Sequence, residues 1–358
     1  MKKAYLVLGN GKVFEGERIG AEGVSIGELV FTTNVVGYLE TLTDPAYAGQ
    51  IVMQTFPMAG NYGVMEEDLQ GECAVKGYVV RECCESPSNF RAQYELDKFL
   101  KEKNICGISG IDTREVTRIL REEGVMNAAI CDVPPEDLSE IRNDSVTGAV
   151  AQVSCKEQRV YASVDETKFC VALMDYGVRK NVIEALCRRG CCVTVLPYDT
   201  KAEDVLSGGY DGIMLSGGPG DPAENTACIE ELKKLMGELP IFGIGLGHQL
   251  AALAMGGETC KLKYGHRGTN QPVRDLIGRR TYITEQNHGY AVMAESLGGK
   301  AYATLLNAND GTCEGLYYPD KKCLTVQFYP DTEKALHNTA YLYDRFLEMM
   351  GGNKHAER

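Results

Sequence analysis

The sequence predicts an α/β protein with two domains: a mixed β/α domain, then an open, mainly parallel sheet with helices on its faces. Two observations lead to this prediction. Residues 1–150 combine short strands with few helices, whereas from Cys170 onward apolar strands and amphipathic helices alternate with short connections, as in open α/β sheets. The stretch 151–168 is polar and weakly periodic, so it is the best candidate for a linker. The predicted domains are therefore 1–150 and 169–358.

Composition excludes several classes of protein. The chain has 358 residues and a net charge of −13, which argues against non-specific nucleic-acid binding because that requires a basic surface. No apolar run approaches the roughly 20 residues of a membrane span, and the N-terminal apolar run stops at Gly9, so it predicts a strand and not a signal peptide. The 14 cysteines lack metal-ligand spacing, which favours reduced thiols in a cytoplasmic protein and predicts no metal site.

The N-terminal half contains one clear hairpin and one clear helix. Apolar residues on both sides of Asn10-Gly11 predict a hairpin, because both turn positions tolerate a positive φ. A helix is expected to begin after Asp112, with Asp112 and Glu115 as a capping box and with Val116, Ile119 and Leu120 as its buried stripe. Gly124 is expected to end it.

The C-terminal half has the β-α-β order of a parallel sheet. Continuous apolar runs predict strands that are covered on both faces, at residues 171–174, 193–196, 213–215 and 241–244. Apolar residues at helical spacing predict helices at 179–189, from about 226, and from about 333 to 349. Ligands of such sheets bind at the carboxyl ends of the strands, so the glycine-rich loops at 216–222 and 243–249 are the candidate functional loops.

The second glycine loop does not fit a nucleotide site. The G-x-G-x-x-G fingerprint would require glycine at position 248, which is His248, and no G-x-x-x-x-G-K-[ST] loop is present in the sequence. A nucleophile elbow fits better, since this device turns a strand sharply into a helix and holds its apex residue in strained backbone. The apex here is Gly245, which has no side chain.

Several motifs resemble one family of amidotransferases. The run G-I-G-L-G-H-Q at 243–249 resembles the G-I-C-L-G-H-Q elbow of class I glutamine amidotransferases, and 215–222 resembles their oxyanion loop. The segments 265–273 and 286–292, together with 27–31, 37–45 and 111–114, resemble the carbamoyl phosphate synthetase small subunit in particular. The resemblance covers nearly the whole chain. It implies a class I glutamine amidotransferase domain at 169–358 and the small-subunit N-terminal domain at 1–150.

The residues that hydrolyse glutamine in that family differ here. The resemblance implies a cysteine nucleophile, a histidine base and a glutamate that orients the histidine, and these positions hold Gly245, Tyr329 and Asp331. A tyrosine, with a pKa of about 10, is a poor base at neutral pH. We therefore predict that this degenerate triad is inactive. A single engineered change would explain Gly245 but not the other differences, so natural divergence is the more economical explanation.

The loss of the nucleophile has a simple physical interpretation. A residue other than glycine costs about 1–3 kcal/mol in strained backbone, whereas glycine adopts such angles without a Cβ clash. Gly245 would relieve this strain once the chemistry is abandoned. We also predict that the ring of Tyr329 or Phe328 occupies the space of the missing thiol and imidazole.

Eight further positions match glutamine-binding residues of the family. They are Asn34, which stands where the family has a serine, and Gly218, Gly220, Leu246, Gln249, Asn287, Gly289 and Tyr290. Glycines in a turn and residues at a helix start are also needed for the loop itself, so the pattern leaves open whether glutamine still binds. Cys260 and Cys313 lie near these motifs, but small core residues are the commoner role of such cysteines.

Three functions are compatible with these residues. In the first, the chain is a small subunit that binds a carbamoyl phosphate synthetase large subunit and the complex uses ammonia; ATP and magnesium are then expected on the large subunit, with no cofactor in this chain. The second keeps an active glutaminase through other groups, and the third is a regulatory module whose altered pocket binds L-glutamine or another small ligand. The retained N-terminal motifs favour the first. The sequence does not distinguish arginine from pyrimidine biosynthesis.

Overall fold

The chain divides next to Ala149 into two units, Met1–Ala149 and Val150–Arg358. They are seen in a computed structural model that describes residues 2–330 and 339–351. Both units combine strands and helices, so the predicted α/β class is confirmed. No helix in the described ranges is long and apolar enough to cross a membrane.

A closed barrel forms the first unit. Its strands run in the order β1-β2-β8-β6-β4-β3-β9, and β1 also pairs with β9, so the sheet has no open edge. A separate two-stranded sheet joins β5 and β7. The strands are β1 Lys3–Leu8, β2 Val13–Gly20, β3 Ser25–Thr32, β4 Gln50–Gln54, β5 Met58–Ala59, β6 Gly77–Val79, β7 Glu82–Cys83, β8 Cys106–Ser109 and β9 Met126–Cys131. The helices of this unit are α1 Tyr38–Leu42, α2 Leu96–Glu102, α3 Thr113–Glu123 and α4 Ser139–Asn143.

The hairpin and the helix predicted in the N-terminal half are both present. The strands β1 and β2 pair up to Val7 and Val13 around the turn that contains Gly11, whose φ is 94°. The Asp112 carboxylate accepts a hydrogen bond from the Glu115 N–H at 3.1 Å and caps α3, which ends before Gly124. The Glu115 carboxylate accepts a hydrogen bond from Arg118 at 2.7 Å, so it forms an ion pair on the helix surface.

The second unit contains one large sheet with helices on both faces. Its strands are β10 Arg159–Tyr161, β11 Phe169–Asp175, β12 Cys191–Pro197, β13 Gly212–Leu215, β14 Ile241–Ile244, β15 Glu258–Asp275, β16 Thr281–Met293, β17 Tyr302–Asn307, β18 Cys313–Tyr318 and β19 Cys323–Val326. Its helices are α5 Ala149–Val153, which begins at the boundary, α6 Lys180–Cys187, α7 Ala202–Ser207, α8 Thr226–Leu235, α9 Leu246–Ala254 and α10 Tyr341–Met349.

The parallel part of this sheet is its centre. The strands β12, β11, β13, β14 and β19 are parallel neighbours, as the continuous apolar runs predict. One face packs on α8 and α9 through residues such as Leu232 and Leu250. The other packs on α6 and α10 through residues such as Leu186 and Phe346. Both faces of the central strands are therefore buried, which explains why they lack an alternating pattern.

Antiparallel strands extend this sheet at both ends. Beyond β19 the order continues β18, β16, β15 and β17, and all of these pairings are antiparallel. The sheet is thus parallel only in its central part. The long strands β15 and β16 form a hairpin that carries several of the predicted site residues.

Part of the predicted linker belongs to this sheet. The strand β10 pairs antiparallel with β12, and α5 occupies residues at the start of the stretch. All three residues of β10 are exposed, so backbone hydrogen bonds hold the strand while its side chains leave no periodic apolar signal in the sequence. The predicted C-terminal helix is seen as α10, and the residues 331–338 lie outside the described part.

Candidate functional site

The apex of the predicted elbow is Gly245, the single residue between the end of β14 and the start of α9. Its φ of 53° and ψ of −114° lie in a region that a side chain makes costly. The Gly245 N–H donates to the Val326 carbonyl at 2.9 Å. A Cβ at this position would have the Gly217 Cα at 3.3 Å and the Gln327 carbonyl oxygen at 3.9 Å. The strained turn is therefore retained without a side chain, and a Cβ at its apex would require a small shift of Gly217.

The glycine loop after β13 lies against this turn. The Ser216 Oγ accepts a hydrogen bond from the Tyr176 N–H at 2.9 Å, and the Gly247 N–H donates to the Ser216 carbonyl at 3.0 Å. A Cβ on Gly218 would lie 2.3 Å from the Tyr176 carbonyl oxygen and 2.9 Å from the Leu246 Cδ2, so only glycine fits there. Within residues 2–330 and 339–351, the N–H groups of Gly218 and Leu246 have no hydrogen-bond acceptor. Two unused donors thus remain next to the apex, as an oxyanion site requires.

Tyr329, at the position of the expected base, is held on several sides. Its N–H donates to the Glu285 carbonyl at 3.0 Å. The Arg179 guanidinium carbon lies 4.3 Å from the ring centroid, within the range of a cation–π contact. Arg179 also donates to the Glu285 carboxylate at 2.8 Å, and its side chain is only 3% exposed. The ring is therefore fixed by an arginine that is itself paired with a carboxylate.

The hydroxyl end of this ring reaches the oxyanion loop. A Cβ on Gly217 would be 3.0 Å from the Tyr329 hydroxyl oxygen and 3.2 Å from its Cε1. Because the same Gly217 also borders the Gly245 apex, the phenol fills space next to the missing side chain. Phe328 is 1% exposed and packs in the cluster with Phe242 and Phe346.

A glutamine pair joins α9 to the neighbouring strands. The Gln249 side-chain amide donates to the Tyr290 carbonyl and to the Gln327 Oε1, each at 2.9 Å. Tyr290 lies on β16 with Asn287 and Gly289, where Asn287 is the register partner of Arg267 on β15. The structure thus brings Gln249 and Tyr290 together and places the two other predicted positions on the same strand.

Both halves of the chain match known protein families. The family described as carbamoyl-phosphate synthase small chain, CPSase domain, matches residues 6–130, and glutamine amidotransferase class-I matches residues 172–349. The carbamoyl phosphate synthase small chain of Listeria monocytogenes serotype 4b is 47% identical over 100% of this chain and 99% of its own length. The chain belongs to the carbamoyl phosphate synthase small chain family.

Other members of this family are similarly close. The small chain of Clostridium perfringens is 45% identical over 97% of this chain and 99% of its own length. That of the archaeon Archaeoglobus fulgidus is 42% identical, again over 97% and 99%. The chain is thus a carbamoyl phosphate synthase small subunit with a class I glutamine amidotransferase domain, as the resemblance implies.

The remaining predicted site residues are placed as follows. Asn34 belongs to the first unit, where it is 8% exposed, its N–H donates to the Thr32 Oγ1 at 3.3 Å and its carbonyl accepts from the Gln54 side chain. Gly220 lies in the oxyanion loop with a φ of 85°, and Asp331 lies outside the described residues. Cys313 is buried, which raises the pKa of its thiol to about 12. Its thiolate, the nucleophilic form, is therefore scarce at neutral pH.

Sequence reasoning missed three residues that shape this small-subunit site. Arg179, Glu285 and Gln327 lie far apart in the chain and show no pattern that joins them. Glu285 directly precedes the Q-N-H-G-Y motif, and Arg179 is the N-cap residue of α6, so each could only be described as a polar residue next to a motif. Their contacts with Tyr329 and Gln249 arise from the packing of β16, β19 and α6.

His248 follows the elbow and is fully buried. Its Nδ1 lies 2.8 Å from the Thr325 Oγ1, and its Nε2 has no partner in the described part of the chain. Burial lowers the pKa of His248 to about 3, since the charged imidazolium would be poorly solvated there. His248 is therefore neutral at physiological pH and packs as part of the helix.

This buried histidine predicts a loss of stability in acid. The unfolded chain protonates His248 near pH 6.5 and the folded chain only near pH 3, so its stabilising contribution is complete above pH 6.5. It is lost as the pH falls towards 3, with a total on the order of 4–5 kcal/mol. His248→Gln should flatten the dependence of the free energy of unfolding on pH in this window, measured by urea denaturation. An unchanged dependence would show that the folded state accommodates the charge.

Proposed function

We propose that this small subunit binds a carbamoyl phosphate synthase large subunit without hydrolysing glutamine, and that the complex makes carbamoyl phosphate from free ammonia. The observation that carries the proposal is the apex of the elbow. Gly245 provides no nucleophile, and the base position is filled by Tyr329, whose ring is stacked under Arg179.

Glutamine hydrolysis by this type of site needs a nucleophile and a base in contact. The nucleophile attacks the amide carbon while the base accepts its proton. Neither role has an evident replacement among the described residues, because Cys313 is a buried thiol with a raised pKa and His248 is buried and bonded to Thr325. The N–H donors of Gly218 and Leu246 would polarise an amide but cannot attack it.

The expected loss in kcat is large enough to abolish the glutaminase function and not merely to slow it. Removing a nucleophile or its base from a catalytic triad costs about 10⁶-fold in kcat. The remaining donors and binding contacts supply about 10³–10⁴-fold over water, which is too little for metabolic flux. Supply of ammonia from solution is the route that such a complex can use, with ATP and magnesium held by the large subunit.

The test is to co-express the full chain with a carbamoyl phosphate synthase large subunit. The two chains should co-purify, and carbamoyl phosphate should form with ammonium but not with glutamine as nitrogen donor. A matched complex that contains the small chain of Clostridium perfringens provides the comparison for glutamine use. Failure to co-purify contradicts the subunit role, and glutamine-driven synthesis contradicts the ammonia route.

The contacts of Tyr329 predict that the parent pocket excludes glutamine. Tyr329→Ala removes the ring from its place between Arg179 and Gly217 and should open a cavity beside the oxyanion donors. Millimolar L-glutamine should then raise the melting temperature of the variant, whereas the parent and Tyr329→Phe, which keeps the ring, should show no shift. A shift in the parent would favour the alternative function of a ligand-binding regulatory module.

A further inference from the structure

A cluster of two histidines and a glutamate lies in the antiparallel part of the second unit. His266 on β15 and His288 on β16 are register partners, and Glu314 lies on β18, which also pairs with β16. Their exposed fractions are 8%, 7% and 0%. None of the three has a role in the function proposed above.

One nitrogen of each imidazole, the outward nitrogen, is the one farther from Glu314, and it is hydrogen-bonded to an oxygen. The His266 Nε2 lies 2.8 Å from the Asp310 carboxylate, and the His288 Nδ1 lies 2.7 Å from the Tyr290 carbonyl. Each of these bonds needs the ring proton on the outward nitrogen, because the oxygens can only accept. In a neutral ring this leaves the lone pair of the His266 Nδ1 on the side of Glu314. The His288 Nε2 lies 3.0 Å from a second acceptor, the Gln286 Oε1, so it offers a lone pair to a metal only in the tautomer that keeps the proton on Nδ1.

The other nitrogen of each imidazole, the inward nitrogen, lies near the Glu314 carboxylate. Its Oε1 lies 3.4 Å from the His266 Nδ1 and 4.0 Å from the His288 Nε2. The Asn307 side-chain amide donates to this oxygen at 3.1 Å, while Oε2 has no hydrogen-bond partner in the described residues. Among the described residues, no lysine or arginine forms an ion pair with Glu314. A buried carboxylate of this kind needs a positive charge beside it.

We propose that His266, His288 and Glu314 bind a zinc ion. Their ligand atoms all lie within 4.8 Å of one another, whereas zinc bonds of about 2.0–2.1 Å in a tetrahedral site require separations of about 3.3–3.4 Å. The distance between the His266 Nδ1 and the Glu314 Oε1, 3.4 Å, already has this value. Side-chain rotation has to shorten the other distances between ligand atoms. The Gln286 Oε1, 3.0 Å from the His288 Nε2, is the fourth ligand.

The surroundings match those of metal-binding histidines. Such histidines usually donate their second ring N–H to a carboxylate or a backbone carbonyl, which fixes the tautomer, and Asp310 and the Tyr290 carbonyl occupy these places. The site is enclosed, with all protein ligands buried, which indicates a structural ion. A zinc ion would hold β15, β16 and β18 together. The Glu314 carbonyl also accepts a hydrogen bond from the Gln327 N–H at 2.9 Å, and Gln327 lies two residues before Tyr329.

The experiment uses the untagged full chain after dialysis against a chelator. Titration with zinc in competition with a chromophoric chelator should show one site per chain, and zinc should raise the melting temperature. Glu314→Gln should weaken binding at least about 100-fold, and Asp310→Asn, which replaces the carboxylate bonded to the His266 Nε2, about 10–100-fold. Cys260→Ser removes an exposed thiol and should bind as the parent does.

Cobalt distinguishes this site from adventitious binding to the cysteines. The bound Co²⁺ should show visible bands of a tetrahedral nitrogen and oxygen site without thiolate charge-transfer bands in the near ultraviolet. No binding by the parent would overturn the proposal and leave a proton as the charge shared with Glu314. Thiolate bands, or parent-like affinity in folded Asp310→Asn and Glu314→Gln, would overturn it equally.

Discussion

The double variant Gly245→Cys with Tyr329→His is expected to hydrolyse glutamine at least about 10³-fold faster than the parent chain. It restores both a nucleophile and a base to an elbow that keeps its shape. The Cβ of a cysteine would lie 3.3 Å from the Gly217 Cα, a tight contact that needs this loop to shift by a few tenths of an ångström. The donors at Gly218 and Leu246 are in place for the oxyanion that forms during attack.

The backbone at position 329 is also suited to a histidine. Its N–H donates to the Glu285 carbonyl, which holds the backbone from which a shorter imidazole would extend. The smaller ring vacates the space beside Gly217 that the phenol fills in the parent. Asp331, the counterpart of the orienting glutamate in the resemblance, is left unchanged and limits the recovery.

Two single variants serve as controls for this restoration. Gly245→Cys lacks a base and still contains the Tyr329 ring, and Tyr329→His lacks a nucleophile, so both should stay within about tenfold of the parent. Glutamate release and labelling of the new thiol by an electrophilic glutamine analogue are the measurements. If the double variant is folded but as inactive as the single ones, the glutamine pocket itself has been lost.

Substitution of Gly247 by alanine is expected to destabilise the second unit by about 3 kcal/mol. A Cβ on Gly247 would lie 2.6 Å from both the Cβ and the carbonyl oxygen of Leu215 on β13. Neither atom is the end of a flexible side chain, so α9 or the strand must move. The gain in helix propensity from glycine to alanine, about 1 kcal/mol, offsets only part of this cost.

A comparison with Gly245→Ala separates steric overlap from backbone strain. At position 245 the added Cβ would lie 3.3 Å from the Gly217 Cα, a milder contact than at 247, and the backbone has a φ of 53° and a ψ of −114°. Its cost is therefore mainly backbone strain, about 1–3 kcal/mol. Gly209→Ala, with a φ of 71° and no atom within 4 Å of the added Cβ, is the control for a positive φ on the surface. Free energies of unfolding from denaturant titration should show that Gly247→Ala is the most destabilising of the three variants. If Gly245→Ala destabilises the chain no more than Gly209→Ala does, the elbow relaxes around the added methyl group.

Local sequence signals were sufficient for the central elements of the fold. The apolar runs of β11 to β14 predicted a parallel sheet because strands buried on both faces cannot alternate. Asp112 and Gly124 marked the ends of α3 because the capping interactions they make are local. Gly245 was recognisable as an altered apex because the glycines around it retain the elbow pattern.

The antiparallel strands and the edge strand were not predictable in the same way. Only backbone pairing holds β10, with all of its side chains exposed, so the sequence contains no apolar pattern for it. The partners of β15 and β16 depend on register between distant segments, which composition does not encode. This is why the sheet was expected to be mainly parallel although only its centre is.

The sequence by itself determined the family, the two-part organisation and the absence of a nucleophile at Gly245, since motifs and residue identities carry these. Only the tertiary structure decided how the altered site is filled. Arg179, Glu285 and Tyr329 are separated by more than 40 residues from one another, and they meet because β16 and β19 lie in one sheet that α6 covers. Contacts of this kind depend on long-range packing, and only the fold shows that the ring of Tyr329 lies between Arg179 and Gly217.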